Sequence, residues 1–258
     1  MSTEMQVPAH IAARIKANKD TGHRSAILDA LAGGGDSVPR ISIRGGKYRL
    51  VAGGVETVIG NTLDVIIVGA NPGTSKMFFE GAYTGEEGVG PRCQSSDGKT
   101  PDSFVSDPIC DSCVKCPNNI LGSKVNPSGA KSKLCDDLRY LAVVPAADHS
   151  QVYQLTIKVS AMKGMRKYMS ELANYGLQPE YVVTRLGFDD NASYPLITFS
   201  RGGWLEEKGI ATVERVMDTD QVKLCTREVA GKAALPPSNT SNVVSIEQKD
   251  DPAPAAPA

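Results

Sequence analysis

The fold turns on RISIRGGKYRLVA, residues 40–52. Two strand-length runs flank Gly45-Gly46, and paired glycines supply the positive φ angles that a two-residue hairpin turn demands. The segment therefore predicts a β-hairpin. Downstream, LDVIIVGA (63–70) is an apolar run of strand length, expected at the centre of a sheet. KMFFEGAYT (76–84) reads as a further strand. RYLAVVPA (139–146) and VYQLTIKVS (152–160) form an expected pair across ADHS. EYVVTRLGF (180–188) and YPLITFSR (194–201) form another around DDNAS. Between these pairs, AMKGMRKYMSELANYG (161–176) has a helical pattern closed by Gly176. Residues 9–32 and 203–219 read as flanking helices, and the run from 231, ending PAPAAPA, as a disordered tail. Strands at hairpin spacing with one intervening helix predict a mainly β (α+β) chain. The expected architecture is an antiparallel barrel or sandwich, with a partly open barrel the common small solution. The expected organisation is an N-terminal helical segment over 1–36, one domain over 37–230 and a tail over 231–258.

The domain carries an insertion over 85–137 that follows different rules. Five of the six cysteines lie in it: Cys93, Cys110, Cys113, Cys116 and Cys135. Its intervening residues are Ser, Asp, Gly, Pro, Asn and Lys, too polar for a core of their own. A metal would supply the missing folding energy, on the order of 10–16 kcal/mol for structural zinc. C-x2-C lets two thiolates meet one ion from a single turn, and Cys93 and Cys135 flank that turn from either side. Cys113 shares the spacing with both Cys110 and Cys116; the sharp turn of Cys116-Pro117-Asn118 favours Cys113 and Cys116. Zinc is the expected cofactor. An iron–sulfur cluster ranks below it, because the fourth ligand at ferredoxin spacing is missing. MSTEMQVPAHIAARIK lacks the apolar run of a signal peptide, so a reducing cytoplasm is expected rather than disulfides. No apolar run reaches membrane-spanning length.

With 258 residues, 41% hydrophobic content and a net charge of -1, the chain as a whole is no polyelectrolyte. Charge is nonetheless segregated. Residues 40–49 carry Arg40, Arg44, Lys47 and Arg49 without an acid, and 158–167 carry Lys158, Lys163, Arg166 and Lys167 likewise. Tyr48, Phe78 and Tyr140 lie beside such cations. Cations neutralise phosphates and rings stack on bases, the two halves of single-strand recognition. Strand aromatics are also ordinary core residues, and in a strand Tyr48 faces opposite to Lys47 and Arg49. GANPGTSK (69–76) fails the phosphate-loop pattern and reads as a turn. No hydrolytic motif surrounds His10, His23 or His149, and the expected activity is non-enzymatic.

PRISIRGGKYRLV, LDVIIVGANPG, C-x-S-x-D-G-x-x-P, C-x2-C-P-x-N-x2-G-S-K and K-x-C-x-D-x-R together resemble the single-stranded-DNA-binding proteins of tailed bacteriophages. YQLTIKVSAMKGMRKYMSELANYG and VVTRLGFDDNASYPLITFS are similar to the same family, so the resemblance spans about 38–205. It implies an OB-fold and a replication-type protein that binds single-stranded DNA without sequence preference. It also implies a zinc site at Cys93, Cys113, Cys116 and Cys135, with Cys110 spare. Arg40, Arg44, Lys47, Arg49, Lys158, Lys163 and Arg166 are then the expected phosphate contacts, and Tyr48, Phe78 and Tyr140 the expected stacking rings. Replisome proteins are further expected partners, although EQKDDPAPAAPA lacks the acidic, aromatic-ended tail that such proteins often use for recruitment. A second expectation is a phage transcription cofactor or host-takeover factor that docks on RNA polymerase through the insertion.

Overall fold

The structure is a computed structural model that describes residues 8–21, 38–53, 55–80, 91–126 and 129–228. A helix, α1 (Ala9–Thr21), occupies the start of the expected N-terminal helix; 22–36 and the expected tail lie outside the described residues. The hairpin forms as read. β1 (Arg40–Arg44) and β2 (Lys47–Ala52) pair with Arg44 opposite Lys47. Gly45 and Gly46 take φ of 57° and 65°, left-handed values that side-chain-bearing residues resist.

β3 (Val55–Gly60), β4 (Leu63–Ala70), β5 (Ser75–Phe78) and β6 (Cys93–Ser95) follow. A two-stranded ribbon, β7 (Lys124–Val125) with β8 (Lys131–Ser132), lies within the insertion. Then come β9 (Asp136–Pro145), β10 (Tyr153–Lys158), the helix α2 (Val159–Asn174), β11 (Val182–Phe188) and β12 (Ile197–Trp204). Two helices close the described chain, α3 (Glu207–Met217) and α4 (Asp220–Thr226). The main sheet runs β12-β11-β4-β9-β10-β1-β2-β3, with β5 bridging β9 and β6 at one end. β3 and α4 are elements the sequence pattern did not predict.

One pairing departs from the antiparallel expectation. β1 lies parallel to β10, with Arg40 opposite Gln154 and Ile41 opposite Leu155. A parallel pair requires a long connection, and everything from β2 to β9 supplies it.

The sheet curls into a half-barrel. On one face Ile41, Tyr48, Leu63, Val65, Ile67, Leu141, Val143, Leu155, Ile157, Leu186 and Ile197 meet Ala161, Met162 and Met165 of α2. Tyr48 shows the curvature directly. β2 stands five strands from β11 in the sheet, about 24 Å away if the sheet were flat at its usual spacing. Yet the Tyr48 ring stacks on Phe188 with centroids 4.6 Å apart, and its hydroxyl donates to the Gly187 carbonyl at 2.9 Å. The opposite face of β4 and β9 packs Ile66, Val68, Ala142 and Val144 against Val213, Val222 and Cys225 of α3 and α4. Helices on both faces explain why 65–68 is apolar at every position rather than alternating.

Deleting only the hydroxyl, with Tyr48→Phe, is expected to cost about 1 kcal/mol of stability. Tyr48→Ala should cost on the order of 3–5 kcal/mol, because it opens a cavity where the curl closes. Urea unfolding of the two variants measures both.

Candidate nucleic-acid interface and thiol centre

The register gathers part of the expected basic set. Ile41 and Ile43 of β1, Tyr48 and Leu50 of β2, and Leu155 and Ile157 of β10 point into the α2-covered core. Strand alternation sends Arg40, Ser42, Arg44, Lys47, Arg49, Thr156 and Lys158 to the other face. Arg40 lies opposite Gln154, Ser42 opposite Arg49 and Arg44 opposite Lys47. Arg40, Arg44, Lys47, Arg49 and Lys158 thus share one face of three adjacent strands, with two hydroxyls among them. The acid on this surface from β3 is Glu56, which pairs with Arg49. Burial is the main influence on Arg40 and lowers its pKa, while nearby Glu56 opposes the shift.

Lys163 and Arg166 do not join this face. They are exposed on α2, whose buried side packs against the opposite side of the sheet. The single groove expected to use both basic stretches is therefore two separate surfaces.

The aromatic expectation is corrected more strongly. Tyr48 and Tyr140 are 0% and 1% exposed, so neither ring has a face to offer a base. Burial raises the pKa of both hydroxyls, that of Tyr140 to about 12. Alternation beside cations was a correct observation about Tyr48, but the side it selects is the core. Phe78 is half-buried and lines the thiol cavity. Large exposed rings do occur, at Phe79, Tyr175, Tyr181, Tyr194 and Trp204. Trp204 lies under the Arg201 guanidinium, 4.9 Å from its centroid, on the far edge strand β12.

One cation escaped the sequence reading. Arg227 ends α4 in a left-handed conformation, φ 58°, and lays its guanidinium 4.1 Å from the Tyr140 ring centroid. Tyr140 is paired with Thr156 across β9 and β10, so Arg227 borders the basic face. The sequence signal was faint, a single Arg after a seven-residue helix.

The insertion is held to the sheet through β5. Phe78 pairs with Cys93 on β6, and Met77 pairs with Asp136 on β9, one residue beyond Cys135. Cys93 and Cys135 therefore flank β5 from both sides. The second pair comes from the loop. The Cys113 amide donates to the Lys99 carbonyl at 2.9 Å, and Asn119 Nδ2 donates to the Cys113 carbonyl at 2.6 Å. Pro117–Asn119 forms one 3-10 turn directly after Cys116, the sharp turn the sequence indicated. The Cys135 amide then donates to the Asn118 carbonyl, tying the knuckle to β9.

Cys93, Cys110, Cys113, Cys116 and Cys135 line one cavity of about 20 Å³. That is room for about one water-sized particle, suited to an ion and too small for an organic substrate. Burial pushes the Cys135 thiol up to about 11, with Lys76 acting against the shift and Cys113, Cys116 and Cys93 adding to it. Burial likewise raises Cys113. The donors suit a thiophilic ion in kind, although no three His, Cys, Asp or Glu side chains among the described residues are drawn into a ready coordination shell. Lys76 and Lys133 both pair with Asp137 at the cavity's edge, leaving a net positive charge beside the thiols. Cys225 is remote from this cluster, buried against the other helices.

Two larger hollows offer a polyanion less. One of about 570 Å³ has Asp64 and Asp148 in its wall; one of about 320 Å³ has Glu171 and Asp189 beside Lys167. No helix among the described residues is long and apolar enough to cross a membrane.

No family model matches this chain, and no curated protein or solved structure matches it either.

The insertion depends on Gly98. Its φ is 72°, and a Cβ there would meet the Thr74 carbonyl oxygen at 2.1 Å. Gly98→Ala is expected to cost about 1–3 kcal/mol from the backbone conformation alone. The readout is faster proteolytic cleavage within 91–135, with the circular dichroism of the sheet retained.

Proposed function

We propose that this protein binds single-stranded DNA without sequence preference, as a non-enzymatic factor in phage replication or recombination. The half-barrel serves as an OB-like platform and the thiol centre as a structural zinc site at Cys93, Cys113, Cys116 and Cys135. The observation that carries the reading is the shared face of β2, β1 and β10. Five cations and two hydroxyls there face one way, with one acid already engaged by Arg49. Such a surface suits a phosphodiester backbone, whose contacts carry no sequence information. Four thiolates leave zinc no open position, so the ion would brace the insertion rather than catalyse.

A second reading has its own observation. The insertion presents Val114, Ile120, Leu121, Val125 and Leu134 to solvent, at 40% exposure or more. Apolar residues on a polar insertion fit a protein-docking role, with a polymerase or a replisome protein as the partner. Capture of RNA polymerase subunits without DNA, together with weak oligonucleotide binding, would favour it.

Titrating labelled oligonucleotides at several salt concentrations tests the first reading. Single strands should bind more tightly than duplex, and affinity should fall steeply with salt. Lys47→Ala and Lys158→Ala should each weaken binding and lower the salt slope by about one. Lys163→Ala and Arg166→Ala should have smaller effects, since they lie across the sheet. A flat salt dependence would sink the proposal.

Metal binding should also be proton-linked. The buried Cys113 and Cys135 thiols hold their protons at neutral pH in the metal-free protein, and zinc must displace them. Apparent zinc affinity is therefore expected to rise steeply with pH, by about tenfold per unit for each thiol proton released. Competition with a chromophoric chelator between pH 6 and 8 measures the slope.

A further inference from the structure

Five thiols surround a space that needs four, and they are not equivalent. Cys113, Cys116 and Cys135 are buried, whereas Cys93 and Cys110 are both half-buried. All five line the same cavity. Cys113 and Cys116 are fixed by the knuckle's hydrogen bonds, and Cys135 by its amide bond to Asn118. Cys93 is anchored in the short strand β6. Cys110 sits three residues before Cys113, outside any helix or strand, so its segment has no ladder to break when it moves. Its C-x2-C spacing to Cys113 is the one that lets two thiolates reach a common ion.

We propose that Cys110 is an exchange ligand, able to replace Cys93 as the fourth thiolate on a metal held by Cys113, Cys116 and Cys135. The inference rests on the zinc reading above. The site then has three permanent ligands and two that compete for one position. Exchange conserves charge and coordination number, because the entering thiol gives up a proton as the departing thiolate takes one up. The thiol left over at any moment lies at the cavity rim, open to electrophiles.

The test uses the full-length protein and its Cys93→Ser, Cys110→Ser, Cys113→Ser and Cys93→Ser/Cys110→Ser variants. Zinc content and chelator competition are read for each. Alkylation by iodoacetamide is mapped residue by residue. Wild type should hold one zinc with Cys110 the fastest-alkylated thiol of the insertion. Cys110→Ser should hold one zinc at wild-type affinity. Cys93→Ser should still hold one, weakened by roughly tenfold to a hundredfold, with Cys110 now protected from alkylation. Cys113→Ser and the double variant should lose the metal. If Cys93→Ser loses zinc as completely as the double variant, or leaves Cys110 unprotected, the exchange role is overturned while the zinc site stands. Wild type without bound zinc overturns the zinc reading itself. Alkylation separates a ligand role from misfolding, because a collapsed variant would expose every thiol rather than shield Cys110.

Discussion

The contact between Tyr48 and the Phe188–Gly187 segment is the constraint on which the rest depends. It joins two strands that a flat sheet would hold far apart, and it does so with both a stacked ring and a partly buried hydrogen bond. Once β2 is drawn over toward β11, the inner face becomes a closed core that α2 can cap. The outer face of β2, β1 and β10 is turned away from that core at the same time. A residue on these strands has only two possible environments, and alternation decides between them. The cations on the outer face are thus a by-product of the geometry that buries Tyr48.

The thiol centre is a second, nearly independent unit. The core of the half-barrel is built from aliphatic side chains on β4 and β9 and needs nothing from the insertion. The insertion is built from turns and polar hydrogen bonds, with Asp97 accepting from Ser95, Lys99 and Thr100, and Asp102 from Ser96. Such a network sets shape but supplies little burial. The two units meet at β5 and the start of β9, where Lys76, at the thiol cavity, pairs with Asp137.

How much of this was readable in advance depends on what each residue had to do. The hairpin at 40–52 was legible because Gly-Gly has one common structural use. The centre of the sheet was legible because β4 is covered on both faces. Val55–Gly60 was missed for the opposite reason: β3 is an edge strand with exposed side chains, so it carries no burial pattern. The helix α4 is only seven residues long, too short for periodicity to register. The parallel pairing of β1 with β10 has no local signal, being decided by how distant strands pack. At the site, the four sheet arginines and lysines around the hairpin could be placed from alternation, together with Lys158. The roles of Tyr48 and Tyr140 could not, because alternation says which residues share a face but not which face is wet. The clustering of the cysteines was visible from spacing; their sorting into three buried and two half-buried thiols required the fold.

The parallel pairing also sets an order on how the chain can assemble. The hairpin of β1 and β2 emerges early in synthesis, yet the flank of β1 that receives β10 stays open until Gln154 has been made. Throughout that interval the hairpin exposes one unpaired strand edge and an apolar face. Long-range pairing of this kind is slow to nucleate, because a large loop must close before any contact rewards it. The insertion lies inside that loop. By joining Cys93 and its neighbours on one side to Cys135 on the other, compaction of the insertion shortens the effective distance between hairpin and partner strand. Its polar turns thus bear on how quickly the nascent barrel hides its edge, as well as on the finished structure.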